Sequence, residues 1–433
     1  MILMKTKWLK FNNEQKKFEF SGKKNLFLHS LHQIEMEQKE YGISRSFGAE
    51  FYDCLERIRF NYPYYRSPFR VQLNPNYSER LNRECNEWAI NLFNHHHQSL
   101  LTKSTIESIN GSDLGLFSAR TFPSAERHRL KNLMKWCFIF FLIDDYHDAL
   151  IKNKLKDDDR DNNSFWNQII EMLDSILHHR SLKAEWPEFI QGIYSLLKDI
   201  YSEFNPNQID RSIRMFKHYV NGNKLEILLP SSSTSSNGYG KIDGFSEWHR
   251  YLKARKGSIG SQMTMQLIEY AHRIELSDYQ WNHPLIQSLI ENVSIEMILL
   301  NDYLTFRKEI AENEYKFSRM KHSFTILVNQ GLNLQQAVDE IHRMILEYDS
   351  TIMNLIENIR KDCGLNLGLQ TDSQLNEFLI GVEEVLGGSW EFLMTSPRYH
   401  GKGFKGRIPM EGSFQYDPHR TIILDHNHNY DDT

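Results

Sequence analysis

Beyond about residue 75, Leu, Ile, Met and Phe recur at spacings of three and four along most of the chain. That is the repeat of a helix which buries one face. The pattern predicts helices over about 79–102, 125–152, 164–178, 187–204, 208–228, 246–272, 285–312, 334–363 and 373–395. Only 11 prolines interrupt it. No sustained alternation of period two appears, and no Asn-Gly turn joins alternating apolar runs, so strands are not expected. The predicted class is all-α.

Residues 1–57 form a charged, aromatic-containing extension with no readable period. Two polar segments separate helices. Leu155–Asn163 reads as a charged loop, and a Ser-rich stretch at about 230–244 cannot build a core. The residues from 405 to 433 read as a polar tail, which leaves 58–404 as the candidate catalytic domain.

Composition narrows the class. Of 433 residues, 40% are hydrophobic and 12% aromatic, enough for a sizeable core and a pocket lined with rings. A formal charge of −5, with no basic block, argues against a nucleic-acid partner. Cys54, Cys85, Cys137 and Cys363 are widely spaced and suggest neither disulfides nor a zinc site. The longest apolar run, Trp136 to Ile143, falls far short of the roughly 20 residues that span a bilayer. No secretory signal is readable at the start, and the expected setting is cytoplasmic.

That apolar run leads into Asp144-Asp145-Tyr146-His147-Asp148. On a helix Asp144 and Asp148 share a face, with Asp145 alongside. Carboxylates this close repel one another unless a cation lies between them, and a set of hard oxygens suits Mg²⁺. Phe140 and Phe141, one turn earlier, would face the same cavity. The same DDxxD spacing recurs at Asp157–Asp161, but lysines precede it and asparagines follow it, so that copy reads as a solvated loop.

A second set lies on a later helix. Asn301, Thr305 and Glu309 stand at i, i+4 and i+8, one stripe of amide, hydroxyl and carboxylate oxygens. The helix is apolar upstream, from Leu289 to Leu300, so the stripe enters the core and needs a partner there. A divalent cation would be one.

Together the two motifs resemble those of class I terpene synthases of the microbial type, over roughly residues 58–404. The resemblance implies a single barrel of antiparallel helices and three Mg²⁺ ions, for which Mn²⁺ can substitute. Asp144, Asp145 and Asp148 would bind metal on one side, and Asn301, Thr305 and Glu309 on the other. Arg255, 46 positions before Asn301, matches the family's diphosphate-sensing arginine. Ser258 and Ile259 would be its linker and effector, with Gly257 and Gly260 allowing the helix to break there. Arg398, Tyr399 and Lys308 match positions that contact the diphosphate. Phe140, Phe141 and Trp390 are candidates to steady a carbocation, although an aromatic on an apolar face is more often plain core.

The implied activity is ionisation of a prenyl diphosphate, farnesyl diphosphate first, to give a sesquiterpene and release diphosphate. A diterpene synthase using geranylgeranyl diphosphate is the next reading. Behind it stand a chain-elongating prenyl diphosphate synthase and a non-catalytic helical binding protein. The sequence leaves the product skeleton and the oligomeric state, homodimer included, open.

Overall fold

The computed structural model describes residues 58–94, 106, 109–154, 160–227, 229, 244–313, 316–361, 373–401, 404–417 and 420–424. The extension at 1–57, the copy of DDxxD at 157–161 apart from its last two residues, and the Ser-rich stretch apart from Gly244 lie outside them.

The principal helices are α1 (Glu79–Asn94), α2 (Leu114–Thr121), α3 (Arg127–Lys154), α4 (Arg160–Leu177), α5 (Glu188–Tyr201) and α6 (Pro206–Ile227). There follow α7 (Gly244–Ser258), α8 (Ser261–His272), α9 (Asp278–Trp281), α10 (Pro284–Glu312), α11 (Ser323–Asn329), α12 (Leu334–Lys361), α13 (Ser373–Thr395) and α14 (Pro397–His400). The all-α expectation holds for the core, and each helix read from the apolar period has a counterpart. The reading of 155–163 as loop is corrected at its end, where α4 already begins at Arg160.

Three strands were not foreseen. β1 (Ile58–Tyr62), β2 (Gly412–Asp417) and β3 (Arg420–Leu424) form an antiparallel sheet in the order β1-β2-β3. Ile58 pairs with Tyr416 and Tyr62 with Gly412. The region read as a polar tail therefore supplies two strands. Pairing across such a separation leaves no local periodic signal.

α10 is the central helix. Ile286, Leu289, Val293 and Ile298 along it are fully buried, and α12, α13, α7 and α8 pack around it. It starts sharply because Pro284 occupies the first helical turn and His283 Nδ1 accepts a bond from the Leu285 N–H at 3.3 Å. α6 and α7 cross so closely that a Cβ on Gly257 would stand 2.6 Å from the Cα of Gly222 and 2.9 Å from the carbonyl of His218.

One core feature is acidic. Glu296 on α10 and Asp349 on α12 are both buried, and Tyr65 donates its hydroxyl to Asp349 at 3.1 Å. Burial pushes Asp349 up to about 7. Burial, and then the charge of Asp349, lifts Glu296 well above the usual carboxylate range. Between the ordinary value of 3.8 and about 7 the folded protein holds the Asp349 proton that the unfolded chain releases. Stability therefore falls as pH rises through that window. The Asp349→Asn variant should show a flatter decline of Tm between pH 5 and 8, read by circular dichroism. A slope equal to that of the unmodified protein would refute the assignment.

Candidate active site

The helices enclose a cavity of ≈410 Å³ whose walls come from α2, α3, α6, α7, α8, α10, α13 and α14. Both acidic motifs reach it. Asp144 lines it from α3, and Asn301, Thr305 and Glu309 line it from α10. The stripe is internally ordered: the Thr305 hydroxyl lies 2.6 Å from Glu309 Oε1 and 2.7 Å from the Asn301 carbonyl. A hydroxyl that donates its proton in this way keeps its lone pairs for a cation.

Burial raises the Glu309 carboxyl, as does the nearby charge of Asp302, while His322, Thr305 and Arg255 pull it the other way. A buried acid among hard oxygen donors is a donor set that a divalent cation would complete. Asp302, Glu309 and His322 also bring ligand atoms within 4.8 Å of one another. Two of these three are held by partners outside the stripe. Asp302 accepts from the hydroxyl of Tyr251 and from the N–H of Ser323 at 3.0 Å. His322 Nε2 donates to the Asp302 carbonyl at 3.0 Å, and its Nδ1 accepts from the N–H of Phe324 at 3.1 Å. Those partners place the His322 ring 3.9 Å from Glu309 as a buttress.

The cationic side chains are held by the motifs themselves. Arg255 donates to Asn301 Oδ1 at 3.2 Å, to Ser258 Oγ at 3.3 Å and to Glu226 at 3.5 Å. Burial opposes its charge, but Glu226 and the other anions beside it hold its proton more firmly than usual. Arg398 grips Asp145 through two bonds, at 2.6 and 3.1 Å, and lies 4.8 Å over the ring of Phe141. Its own segment is set locally: Ser396 Oγ accepts from the Arg398 N–H at 3.2 Å and Pro397 opens α14. Lys308 lines the cavity and pairs with Glu312 at 2.9 Å.

Between α7 and α8 the helix breaks at Ile259–Gly260. Gly260 takes φ 71°, in the left-handed region, and a Cβ there would run into the ring of Phe140. Gly257 plays a different part from the one expected. It sits within α7 and serves the close crossing with α6, so the break belongs to Gly260 alone.

The comparisons with known proteins agree with this arrangement. The family model "Terpene synthase family 2, C-terminal metal binding" matches residues 135–348, a span containing both acidic motifs. A (3S,6E)-nerolidol synthase of Selaginella moellendorffii is 25% identical over 72% of this chain and 78% of its own. A 4-epi-cubebol synthase ((2E,6E)-farnesyl diphosphate cyclizing) of Streptosporangium roseum is 23% identical over 77% and 90%. Among solved structures, an a-eudesmol synthase superposes with a TM-score of 0.61 at 17% identity, covering 76% of this chain and 98% of that one.

The chain is a class I terpene synthase.

Metal dependence follows with the family, whose matched segment is a divalent-metal-binding one. Of the residues expected in the synthase's site, Asp144, Arg255, Ser258, Ile259, Asn301, Thr305, Lys308, Glu309, Arg398, Tyr399, Phe140 and Phe141 all line the cavity. Asp145 instead faces Arg398, and the side chain of Asp148 is outside the described residues. Trp390 is not in the wall; it is buried beneath Arg407.

Several wall residues of the synthase carried no signal in the sequence. Phe117 and Phe392 join Phe141 in a contiguous aromatic cluster, with centroids 4.9 to 6.3 Å apart. Phe117 lies on the eight-residue α2, too short for periodicity to reveal. Arg319 and Lys321 bring positive charge from the link after α10, where no motif marks them. Glu226 reaches Arg255 from the end of α6. No described helix is long and apolar enough to cross a membrane.

The buried carboxylate of Asp302 ties α10 to α7 and α11, and half of that tie is the Tyr251 hydroxyl. Tyr251→Phe should cost about 1.5–3 kcal/mol of stability, the range for a hydrogen bond to a charged group. Denaturant unfolding checks this, and a change within error of zero would show that the bond contributes nothing.

Proposed function

We propose that this synthase ionises farnesyl diphosphate and turns the resulting cation into a sesquiterpene. The observation that carries the reading is the cavity itself. One set of wall residues is aromatic and apolar, another is a facing pair of acidic motifs with arginines between them. The C15 choice draws support from the relatives named above, one of them named for cyclising farnesyl diphosphate. A cavity of ≈410 Å³, near the lower end of the roughly 300–1,000 Å³ usual for small-molecule sites, favours it over the C20 substrate.

In this reading Asp144, with Asp145 or Asp148, holds two Mg²⁺, and Asn301, Thr305 and Glu309 hold a third. The ions would supply Lewis-acid stabilisation of the charge that grows on the departing diphosphate. Arg255, Arg398, Lys308 and Tyr399 bind the same group by hydrogen bonds, the arginines with forked geometry. For that to happen Arg255 must give up Asn301 and Arg398 must give up Asp145. Substrate capture thus frees ligands on both motifs. Ser258 ties Arg255 to the break, and the backbone at Ile259 faces the reacting carbon as effector. Phe140 and Phe141 keep water from the cation and steady it, each contact worth roughly 0.5–2 kcal/mol.

The test is incubation of the protein with C10, C15 and C20 prenyl diphosphates, with Mg²⁺ and with EDTA, followed by gas chromatography. The expected result is a volatile sesquiterpene from the C15 substrate that disappears with EDTA and returns with Mg²⁺. No terpene from any substrate would overturn the reading, and product from the C20 substrate alone would make the enzyme a diterpene synthase.

Alanine variants test the ligand assignment. Asp144→Ala and Asn301→Ala should each lower turnover by at least a hundredfold, while Asp158→Ala leaves it within about twofold. These figures correspond to roughly 2.7 and 0.4 kcal/mol on the barrier. Equal damage from Asp158→Ala would show that the wrong DDxxD copy has been assigned.

A further inference from the structure

The segment from β1 to Tyr65 lies along α10, against the direction of the helix. Phe60 on β1 meets Phe306 with ring centroids 5.4 Å apart, and Tyr62 meets Tyr303 at 4.7 Å. The Tyr303 hydroxyl donates to the Pro63 carbonyl at 3.2 Å, and Tyr65 reaches the acid pair of Asp349 and Glu296. Hydrogen bonds to its backbone hold the segment in place. β2 pairs alongside, with Phe414 opposite Phe60. Gln335 on α12 accepts from the Asn61 N–H at 2.7 Å and donates to the Asn61 carbonyl at 2.9 Å.

One ring of this segment stands behind the acidic stripe. Phe60 is 3% exposed and makes edge-to-face contact with Phe306 of α10 and Phe324 of α11 at once, at 81° and 74°. Both of those rings are fully buried and both touch His322, with centroids 5.7 and 4.8 Å from the imidazole. His322 bridges the same two helices. Its Nε2 bonds the Asp302 carbonyl of α10, its Nδ1 bonds the Phe324 N–H of α11, and Nε2 lies 3.9 Å from Glu309. The gap between α10 and α11 therefore decides how His322 meets Glu309. Phe60 is wedged against a ring from each side of that gap. Interiors are close-packed, so a void opened at Phe60 passes to its neighbours as displacement.

We infer that Phe60 is a positioning residue for metal binding: through Phe306 and Phe324 it holds His322 against Glu309, and so sets how tightly the stripe takes its cation. The inference rests on the reading above, in which Asn301, Thr305 and Glu309 hold a metal. It adds a residue that touches neither cation nor substrate and stands on a strand ahead of every described helix. A ligating carboxylate depends on the groups that orient it, and losing such a group costs about 10–100-fold in metal affinity. Phe60 acts one layer further out, so its effect should be at or below the lower end.

The test titrates Mn²⁺ into the full-length protein with inorganic diphosphate at a fixed concentration, and reads free Mn²⁺ by electron paramagnetic resonance. Phe60→Leu keeps most of the volume and should raise the half-saturating Mn²⁺ about threefold, and Phe60→Ala about tenfold. With farnesyl diphosphate, the Mg²⁺ needed for half-maximal turnover should rise by the same factors, while kcat at saturating Mg²⁺ stays within about twofold. Phe165→Leu is the control for packing alone. Phe165 on α4 is 5% exposed and stacks on Phe189 of α5 at 5.6 Å. Its variant should lower Tm as Phe60→Leu does and leave the half-saturation unchanged. An unchanged half-saturation in both Phe60 variants, or as large a shift in Phe165→Leu, would overturn the inference. So would a Phe60→Leu protein that fails to fold, since the ring would then serve stability alone. Glu309→Gln tests the reading beneath it. Mn²⁺ binding as tight as in the unmodified protein, or none by the unmodified protein, would remove Glu309 as a ligand whatever the Phe60 variants do.

Discussion

One buried carboxylate at the margin of the cavity fixes the site. Asp302 stands next to Asn301, yet it is turned into the protein, where Tyr251 and the backbone of Ser323 satisfy it. Because adjacent helical residues point about 100° apart, holding Asp302 inward fixes the rotation of α10. That rotation aims Asn301, Thr305 and Glu309 at the cavity. The same tie reaches α7, four residues before Arg255, and α11 at its first residue. His322, bonded to the Asp302 carbonyl, then backs Glu309. The acidic stripe and the arginine that faces it are placed by one buried hydrogen-bond network.

Charge is balanced within that frame before any ligand arrives. Arg255 rests on Asn301 and Glu226, and Arg398 on Asp145. A carboxylate carried into a mostly apolar cavity without such a partner would cost several kcal/mol. The guanidinium groups stand in for part of the positive charge that the site calls for. Both are bidentate-capable groups suited to a phosphate, so the pairs that hold these arginines are also ones that a phosphate group can exchange.

What the sequence revealed was whatever the helical repeat makes local. Asp144 stood out through the apolar run before it, the α10 stripe through its spacing of four, and Arg398 through its place after the last long helix. The break at Gly260 was legible too, but Gly257 was given the same task in error. A glycine needed for positive φ and one needed for close helix contact look alike until the neighbouring helix is known, and Gly222 lies 35 positions away. Phe117, Phe392 and Glu226 were hidden for the same reason, since their partners are distant in the chain. Trp390 erred in the opposite sense. It is a large aromatic on the right helix, but on the face turned from the cavity.

The sheet has a bearing on how the molecule comes to be. β1 pairs residue by residue with β2, and Tyr65 just after β1 bonds the carbonyl of Met410 at 2.9 Å. One partner lies ahead of every described helix and the other behind them all. As the chain is made, Ile58–Tyr62 precedes both of its partners, Gln335 on α12, which bonds the N–H and carbonyl of Asn61, and then the strand Gly412–Asp417. The helices can condense meanwhile, but Arg398 and the strand that closes the domain are among the last parts delivered. The last described partners of the site and of the sheet thus lie close together near the end of the chain.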